Sequence, residues 1–332
     1  MDISIIVPVY NVELYLERCL NSIFGQQFNG SFEVIAVEDG SSDNSLLKLY
    51  EYQKRENRLK IIVHSENKKL SIARATGMKE AQGDYIMHVD SDDWLIQGAL
   101  ENLYSKLIKT DADVIVFNYI TENSQNKRTY IRNIKRELMA QDKSKVQSHF
   151  YGGCWNKIVK RKLTLNMLSG QVSVNNSEDL LYATEILFRA EKIYLIPEYY
   201  YVYFANIESL THTYKSEEFL KNQLIILKQL QEIISKYNAN SKLIRNILNY
   251  FEKWIYLEFA KTHFWYNGKF LNSKMIVRKM ANYSIMSEHK IRRLELSIKS
   301  GTICFFEIAY RFRLNMINGI IKGSFKNRPL IT

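Results

Sequence analysis

The sequence predicts an α/β fold: a mostly parallel sheet flanked by helices, followed by a helical C-terminal region. Three observations carry this expectation. Apolar runs alternate with amphipathic stretches over the first 120 residues. The runs are continuously apolar, which suits strands covered on both faces of a parallel sheet. From Ser216 onward, Phe219, Leu220, Leu224, Leu227, Leu230, Ile233 and Ile234 keep a period near 3.6.

The elements follow in order. Residues 3–9 are apolar and read as the first strand. Residues 11–27 read as a helix, with Leu16, Leu20, Ile23 and Phe24 on one face. Strands are expected at 34–37, 59–63, 85–89 and 114–118, and helices at 45–55, 72–81 and 98–108. Residues 121–149 break the rhythm and read as a polar loop or excursion. Gly152-Gly153 opens a second informative stretch that runs to about Tyr214. The expected organisation is a domain over 1–214, with halves at 1–120 and 150–214, and a basic helical region over 215–332. The run Tyr199-Tyr200-Tyr201-Val202-Tyr203-Phe204 suits either a core strand or the lining of a ligand groove.

Composition narrows the function classes. The chain has 332 residues, 46% hydrophobic and 24% charged, which is ordinary for a globular protein with a large core. Only 3 Pro and 13 Gly exclude collagen-like and low-complexity readings. Cys19, Cys154 and Cys304 are too scattered for a metal cluster or a disulfide framework, so a reducing compartment is expected. The N-terminus shows no export signal, and no apolar stretch is long enough for a spanning helix. There are 46 Lys and Arg against 35 Asp and Glu, a net charge of +11. Residues 241–332 hold 17 of those cations against 5 acids, while the first 240 hold 29 against 30. This reads as a neutral catalytic or binding domain with a cationic extension.

Ligands of open parallel sheets bind beyond the carboxyl ends of the strands. Polar and acidic residues gather at those ends here. Asp90-Ser91-Asp92-Asp93 follows the fourth strand, and three carboxylates so close repel one another unless a cation binds them. Mg²⁺ and Mn²⁺ prefer such oxygen donors and share coordination with phosphates. The same residues also suit capping of the following helix. Asp39, in Glu38-Asp39-Gly40-Ser41-Ser42-Asp43, can accept hydrogen bonds from a base or a ribose, whereas Asp43 suits an N-cap. Arg74 starts from the same edge and can clamp a diphosphate, or lie on a solvated helix face.

Taken together these stretches resemble the family 2 glycosyltransferases of the GT-A fold. The resemblance rests on Ile5-Ile6-Val7-Pro8-Val9-Tyr10-Asn11, Val37-Glu38-Asp39-Gly40-Ser41-Ser42-Asp43 and Ala73-Arg74-Ala75-Thr76-Gly77. It continues through Gly83-Asp84-Tyr85-Ile86 and Val89-Asp90-Ser91-Asp92-Asp93 to Gly152-Gly153-Cys154-Trp155-Asn156-Lys157 and Ser177-Glu178-Asp179-Leu180-Leu181-Tyr182. It covers residues 1–214. Two positions depart from the commonest pattern: Glu38 stands where Asp is usual, and Thr76 where Asn is frequent.

The resemblance implies an inverting transfer from a UDP-sugar to a glycan acceptor, with Mn²⁺ or Mg²⁺ as cofactor. It implies that Pro8, Tyr10, Asp39, Arg74, Asp90 and Ser91 bind the nucleotide-sugar. Asp92 and Asp90 match the metal motif, and His212 falls where some relatives supply a third ligand; an ordinary surface histidine is the alternative there. Asp179, beside Glu178, matches the general base, and helix capping is its alternative. Gly152, Gly153, Trp155 and Asn156 match the donor and acceptor pocket.

The C-terminal region mixes Arg311, Arg313, Lys322, Lys326 and Arg328 with apolar and aromatic residues. Such segments lie on anionic membrane surfaces; a helical subdomain or oligomer interface is the alternative. The expectation is a cytoplasmic protein at the inner face of the membrane, acting on a lipid-linked or other surface glycan. No nucleic-acid partner is expected, because the charge is confined to the tail and no recognition motif appears. A nicotinamide enzyme is disfavoured, because Pro8-Val9-Tyr10-Asn11 stands where a Gly-x-Gly-x-x-Gly loop belongs. A silent sugar-nucleotide-binding protein is disfavoured by the intact acidic motifs.

Overall fold

The structure is a computed structural model that describes residues 1–150, 153–174, 177–205, 217–237, 242–244 and 246–247. Gly152, His212 and nearly all of the basic segment 241–332 lie outside these residues. The chain divides into two compact units, Met1–Tyr214 with Ile225–Asn246, and Lys215–Leu224 with Ile247–Thr332. The site lies in the first unit.

The first unit begins with β1 (Ile3–Val9), α1 (Leu16–Phe24), β2 (Phe32–Glu38), α2 (Ser45–Gln53), β3 (Leu59–Val63), α3 (Leu70–Glu80) and β4 (Tyr85–His88). β3, β2, β1 and β4 lie side by side and pair in parallel. This is the alternation read from the sequence. The first helix starts later than its periodicity suggests, because Asn11 takes a φ of 52°, a left-handed conformation that a helix cannot contain.

Both faces of this half are covered. Ile3, Ile5, Val7 and Val9 share one core with Leu16, Leu20 and Ile23 of α1 and with Leu100, Leu103 and Leu107 of α4 (Ala99–Thr110). Each fully buried side chain of this size contributes about 1.5–3 kcal/mol. Ile6 and Val37 meet α3. A Cβ at Gly77 would stand 2.4 Å from Ile6 Cγ2 and 3.3 Å from Val37 Cγ2, so only glycine lets α3 approach this closely.

Beyond β4 the sheet is mixed. β5 (Trp94–Leu95), β6 (Val114–Asn123), β9 (Lys157–Lys160) and β10 (Ile193–Ala205) complete the order β3-β2-β1-β4-β9-β6-β10-β5. β9 runs antiparallel between β4 and β6, while β6 and β10 are parallel. This insertion carries the segment before β9 to the ligand-binding edge. Residues 121–149 are not a plain loop. They hold the end of β6, β7 (Arg128–Ile131), β8 (Leu138–Ala140) and most of α5 (Lys143–Phe150). Among the described residues β7 pairs with β6 alone, and it exposes Arg128 and Tyr130, so it lacks the apolar run that marks the inner strands. The aromatic run at 199–204 is a core strand, with Tyr200, Tyr201, Val202 and Phe204 buried.

Later come α6 (Glu178–Arg189) and α7 (Glu217–Tyr237). Tyr237 accepts a hydrogen bond from Arg189 Nε at 2.6 Å and donates to Glu185 at 3.0 Å. No helix among the described residues is long and apolar enough to cross a membrane.

Candidate active site

The acidic loop after β4 is fastened from below. Asp93 is fully buried and accepts bonds from Tyr201 Oη at 2.6 Å and from the Phe204 amide at 2.7 Å. The Asp90 amide donates to Tyr201 Oη at 3.0 Å. Arg18 donates to the Asp92 carbonyl at 2.9 Å and lies 3.8 Å over the Trp94 ring. Asp93 is therefore a structural anchor, whereas the Asp90 and Asp92 side chains are not held by the strand beneath; Ser91 between them is buried. The capping alternative is not realised, because the residues after Asp93 form β5 and α4 starts only after Gly98.

Arg74 is the hub. Its guanidinium is buried and donates to Asp90 at 2.7 Å, Glu178 at 2.7 Å and Asp179 at 3.0 Å. It thereby joins the end of β4 to the first turn of α6, 104 residues away. The acids also suit that turn, where the helix N-terminus favours negative charge. The two acids differ in access: the Glu178 side chain is 7% exposed and that of Asp179 is 36% exposed. Asp179 Oδ1 also receives the Cys154 amide at 3.2 Å and the Cys154 thiol at 2.7 Å.

Electrostatics follow from this crowding. Burial and the Asp90 charge push Asp92 up to about 6. Burial, together with the Asp179 charge, also raises Asp90 and Glu178, against the lowering pull of Arg74. The surrounding acids overcome the desolvation of Arg74 and hold it firmly protonated. Lys157 is buried nearby, and burial lowers it to about 8.

Asp39 is buried just beyond the end of β2. It faces His64 Nδ1 at 2.6 Å and accepts the amides of Lys68 at 2.9 Å and Lys69 at 2.8 Å. His64 Nε2 lies 3.0 Å from Thr76 Oγ1, so the departure at Thr76 closes a His64 contact. Asp43 accepts the Ser45 amide in the turn ahead of α2, but the N-cap is Asn44, one residue later than the sequence suggests, and its side chain makes no capping bond. Pro8 lies in β1 opposite Val37, and Tyr10 just beyond is 39% exposed.

The segment before β9 carries the remaining residues. Gly153 has a φ of 129°, and a Cβ there would stand 2.6 Å from the Trp155 ring. Trp155 stacks on Tyr201 at 4.7 Å and meets Tyr119 edge-on at 4.6 Å. Asn156 and the Gly153 carbonyl both accept from the Lys157 ammonium. Sequence reasoning passed over His64, Cys154, Lys157 and Tyr201 as site residues. His64 did carry a signal, its place at a strand's carboxyl end.

Known proteins resemble this chain in sequence and in fold. Residues 4–171 match the family described as Glycosyl transferase family 2. The chain is 32% identical to the uncharacterized glycosyltransferase EpsJ of Bacillus subtilis, over 71% of this chain and 70% of that protein. It is 41% identical to the glycosyltransferase GlyA of Streptococcus pneumoniae over 39% of this chain, which spans only 18% of GlyA. The crystal structure of S. aureus TarS 1-349 in complex with UDP-GlcNAc superposes with a TM-score of 0.69 at 20% identity, over 94% of this chain and 92% of TarS 1-349. The family match and the EpsJ relationship place the chain among the family 2 glycosyltransferases, on the GT-A fold.

Proposed function

We propose that this protein transfers a sugar from a UDP-sugar to a hydroxyl of a glycan acceptor, with inversion, in the synthesis of a bacterial surface polysaccharide. One observation carries the reading: Arg74 gathers Asp90 and the Glu178–Asp179 pair around one buried guanidinium, with Asp179 the accessible member. Two similarities support the donor and the pathway class. TarS, which shares the fold, was crystallised with UDP-GlcNAc and with UDP. Relatives at 26–27% identity include the poly(ribitol-phosphate) beta-N-acetylglucosaminyltransferase TarP and the minor teichoic acid biosynthesis protein GgaB.

Asp39 and Tyr10 sit where the base and ribose enter. Asp179 acts as general base, which requires hydrogen-bond reach of the acceptor hydroxyl. Arg74 and Cys154 both hold its Oδ1, which directs Oδ2 to the acceptor. The acceptor oxygen forms its bond to the anomeric carbon as the bond to the diphosphate oxygen breaks. The acceptor proton passes to Asp179, and the electron pair leaves with UDP. A single displacement needs no covalent intermediate.

Among the described residues no group of three or more His, Cys, Asp or Glu gathers around a metal position, but two carboxylates, Asp90 and Asp92, suit a divalent cation that shares its coordination with a diphosphate. Asp92 is held up near 6 by burial beside Asp90, and a bound cation relieves that repulsion. Asp90 and Asp92 would hold Mn²⁺ or Mg²⁺, with His212 as the third candidate. The metal would supply charge neutralisation for the departing diphosphate. The basic segment 241–332 would bring the enzyme to the anionic inner face of the membrane and its lipid-linked acceptors. Liposome flotation after deletion of residues 290–332 tests that placement; undiminished binding would refute it.

The reaction is tested by UDP release from a panel of UDP-sugars, with Mn²⁺ or EDTA, for wild type, Asp92→Ala and Asp179→Ala. Metal-dependent turnover of one donor, lost in both variants, is the expected result. Failure to bind UDP or turn over any donor would overturn the reading.

A further inference from the structure

The near-neutral balance of the first 240 residues hides a local excess of positive charge. Residues 127–136 contain Lys127, Arg128, Arg132, Lys135 and Arg136 and no Asp or Glu. All five cations are exposed. Arg128 is matched by Glu122 at 2.5 Å. Among the described residues, Lys127, Arg132, Lys135 and Arg136 have no ion-pair partner. Tyr130 stands among them, 60% exposed, its ring edge-on to Tyr199 at 5.2 Å.

The position of this patch matters as much as its charge. β7 and β9 share one edge of β6: β9 pairs along Val114–Val116, and β7 along Tyr119–Glu122. The segment Gly153–Asn156 enters β9 at their junction. Trp155 meets Tyr119, which pairs with Ile131, the residue before Arg132. Cys154, next to Trp155, holds Asp179. Moving outward from the proposed base, the cationic hairpin is thus the neighbouring surface.

We infer that residues 127–136 form an acceptor-binding surface for a phosphate-bearing glycan, with Lys127, Arg132, Lys135 and Arg136 meeting its phosphates and Tyr130 stacking on a sugar ring. The inference rests on the proposed transferase reading and names the acceptor class for it. Unmatched cations flanking an exposed strand attract a polyanion over roughly the 8–10 Å reach of charges in physiological salt. An exposed aromatic face among them suits a chain that alternates sugar and phosphate. A lipid surface would use the same cations, but an acceptor must also deliver a hydroxyl to Asp179, and this patch is linked to that residue through Tyr119, Trp155 and Cys154.

The test measures anisotropy of a fluorescein-labelled oligo(glycerol phosphate) with the full chain, at low and high salt. The variant is Lys127→Ser/Arg132→Ser/Lys135→Ser/Arg136→Ser, and Tyr130→Ala is measured beside it. Neutral dextran oligomers and phosphatidylglycerol vesicles are run in parallel, and UDP binding is measured by calorimetry. Expected are salt-sensitive binding of the phosphate oligomer, at least tenfold weakening in the quadruple variant, a smaller loss in Tyr130→Ala and unchanged UDP affinity. Equal binding by wild type and quadruple variant would overturn the inference. So would equally tight binding of dextran, or vesicle binding lost in the variant while the oligomer is ignored by both. Loss of UDP binding in wild type would overturn the donor reading instead, and the oligomer arm would still decide this one.

Discussion

In the half proposed to bind the nucleotide, residues 1–120, the parallel strands deliver Asp39 and Asp90 to the sheet's carboxyl edge. In the half proposed to carry catalysis, residues 150–214, the proposed base stands on a helix and takes its orientation from elsewhere. Asp39 is held by His64 and by two backbone amides of the same half. Asp179 depends on Arg74, 105 residues before it, and on Cys154. Nucleotide binding should therefore survive damage to the catalytic half, while turnover should not survive damage to either.

Arg74→Met strikes the cation that ties Asp90 of the first half to Glu178 and Asp179 of the second. Removing the cation leaves Asp90 and Glu178 buried without their partner, which costs about 3–5 kcal/mol. Chemical denaturation should show that loss, with turnover abolished. A stable, active Arg74→Met would erase the distinction between the halves.

Asp92 offers the opposite sign. Its carboxyl is raised from 3.8 to about 6, so the folded chain holds that proton more tightly than the unfolded chain. Its stabilising contribution is therefore full below the ordinary value and lost as pH rises through about 6. Asp92→Asn should raise stability by about 1–3 kcal/mol at neutral pH, fading in acid, while metal-dependent turnover disappears. Melting temperatures across that range check it.

Within the nucleotide half, His64→Ala removes two buried contacts of Asp39 and Thr76. A loss of about 1–3 kcal/mol in stability is expected, with weaker UDP binding measured by calorimetry. The smallest effect belongs to Cys154. Cys154→Ala removes a neutral donor to Asp179, worth about 0.5–1.5 kcal/mol, so kcat should fall up to about tenfold with KM for the donor unchanged. Cys154→Ser should restore most of the rate, because its hydroxyl can donate to the same oxygen.

The same contrast explains how much was legible in the sequence. The inner parallel strands are buried on both faces, and the sequence pattern located β1 to β4, α2 and α3 to within about two residues, whereas α1 is much shorter than its periodicity suggests. The acidic motifs stood out because they follow those strands directly. β7 and α5 were missed because edge and surface elements carry few apolar residues. Short β9, only Lys157–Lys160, carries two lysines, and one of them is buried. The division of labour among Asp90, Asp92 and Asp93 was hidden for another reason. It is decided by Tyr201 and Phe204, more than a hundred residues away, and no local pattern reports such partners.

The most direct measurement compares UDP affinity and sugar transfer in wild type and Asp179→Asn, a change that keeps side-chain volume and removes the base. UDP affinity within about twofold of wild type, with turnover reduced by 100-fold or more, is the result that the division of the site requires. Turnover near the wild-type rate would contradict it and move the base to another residue.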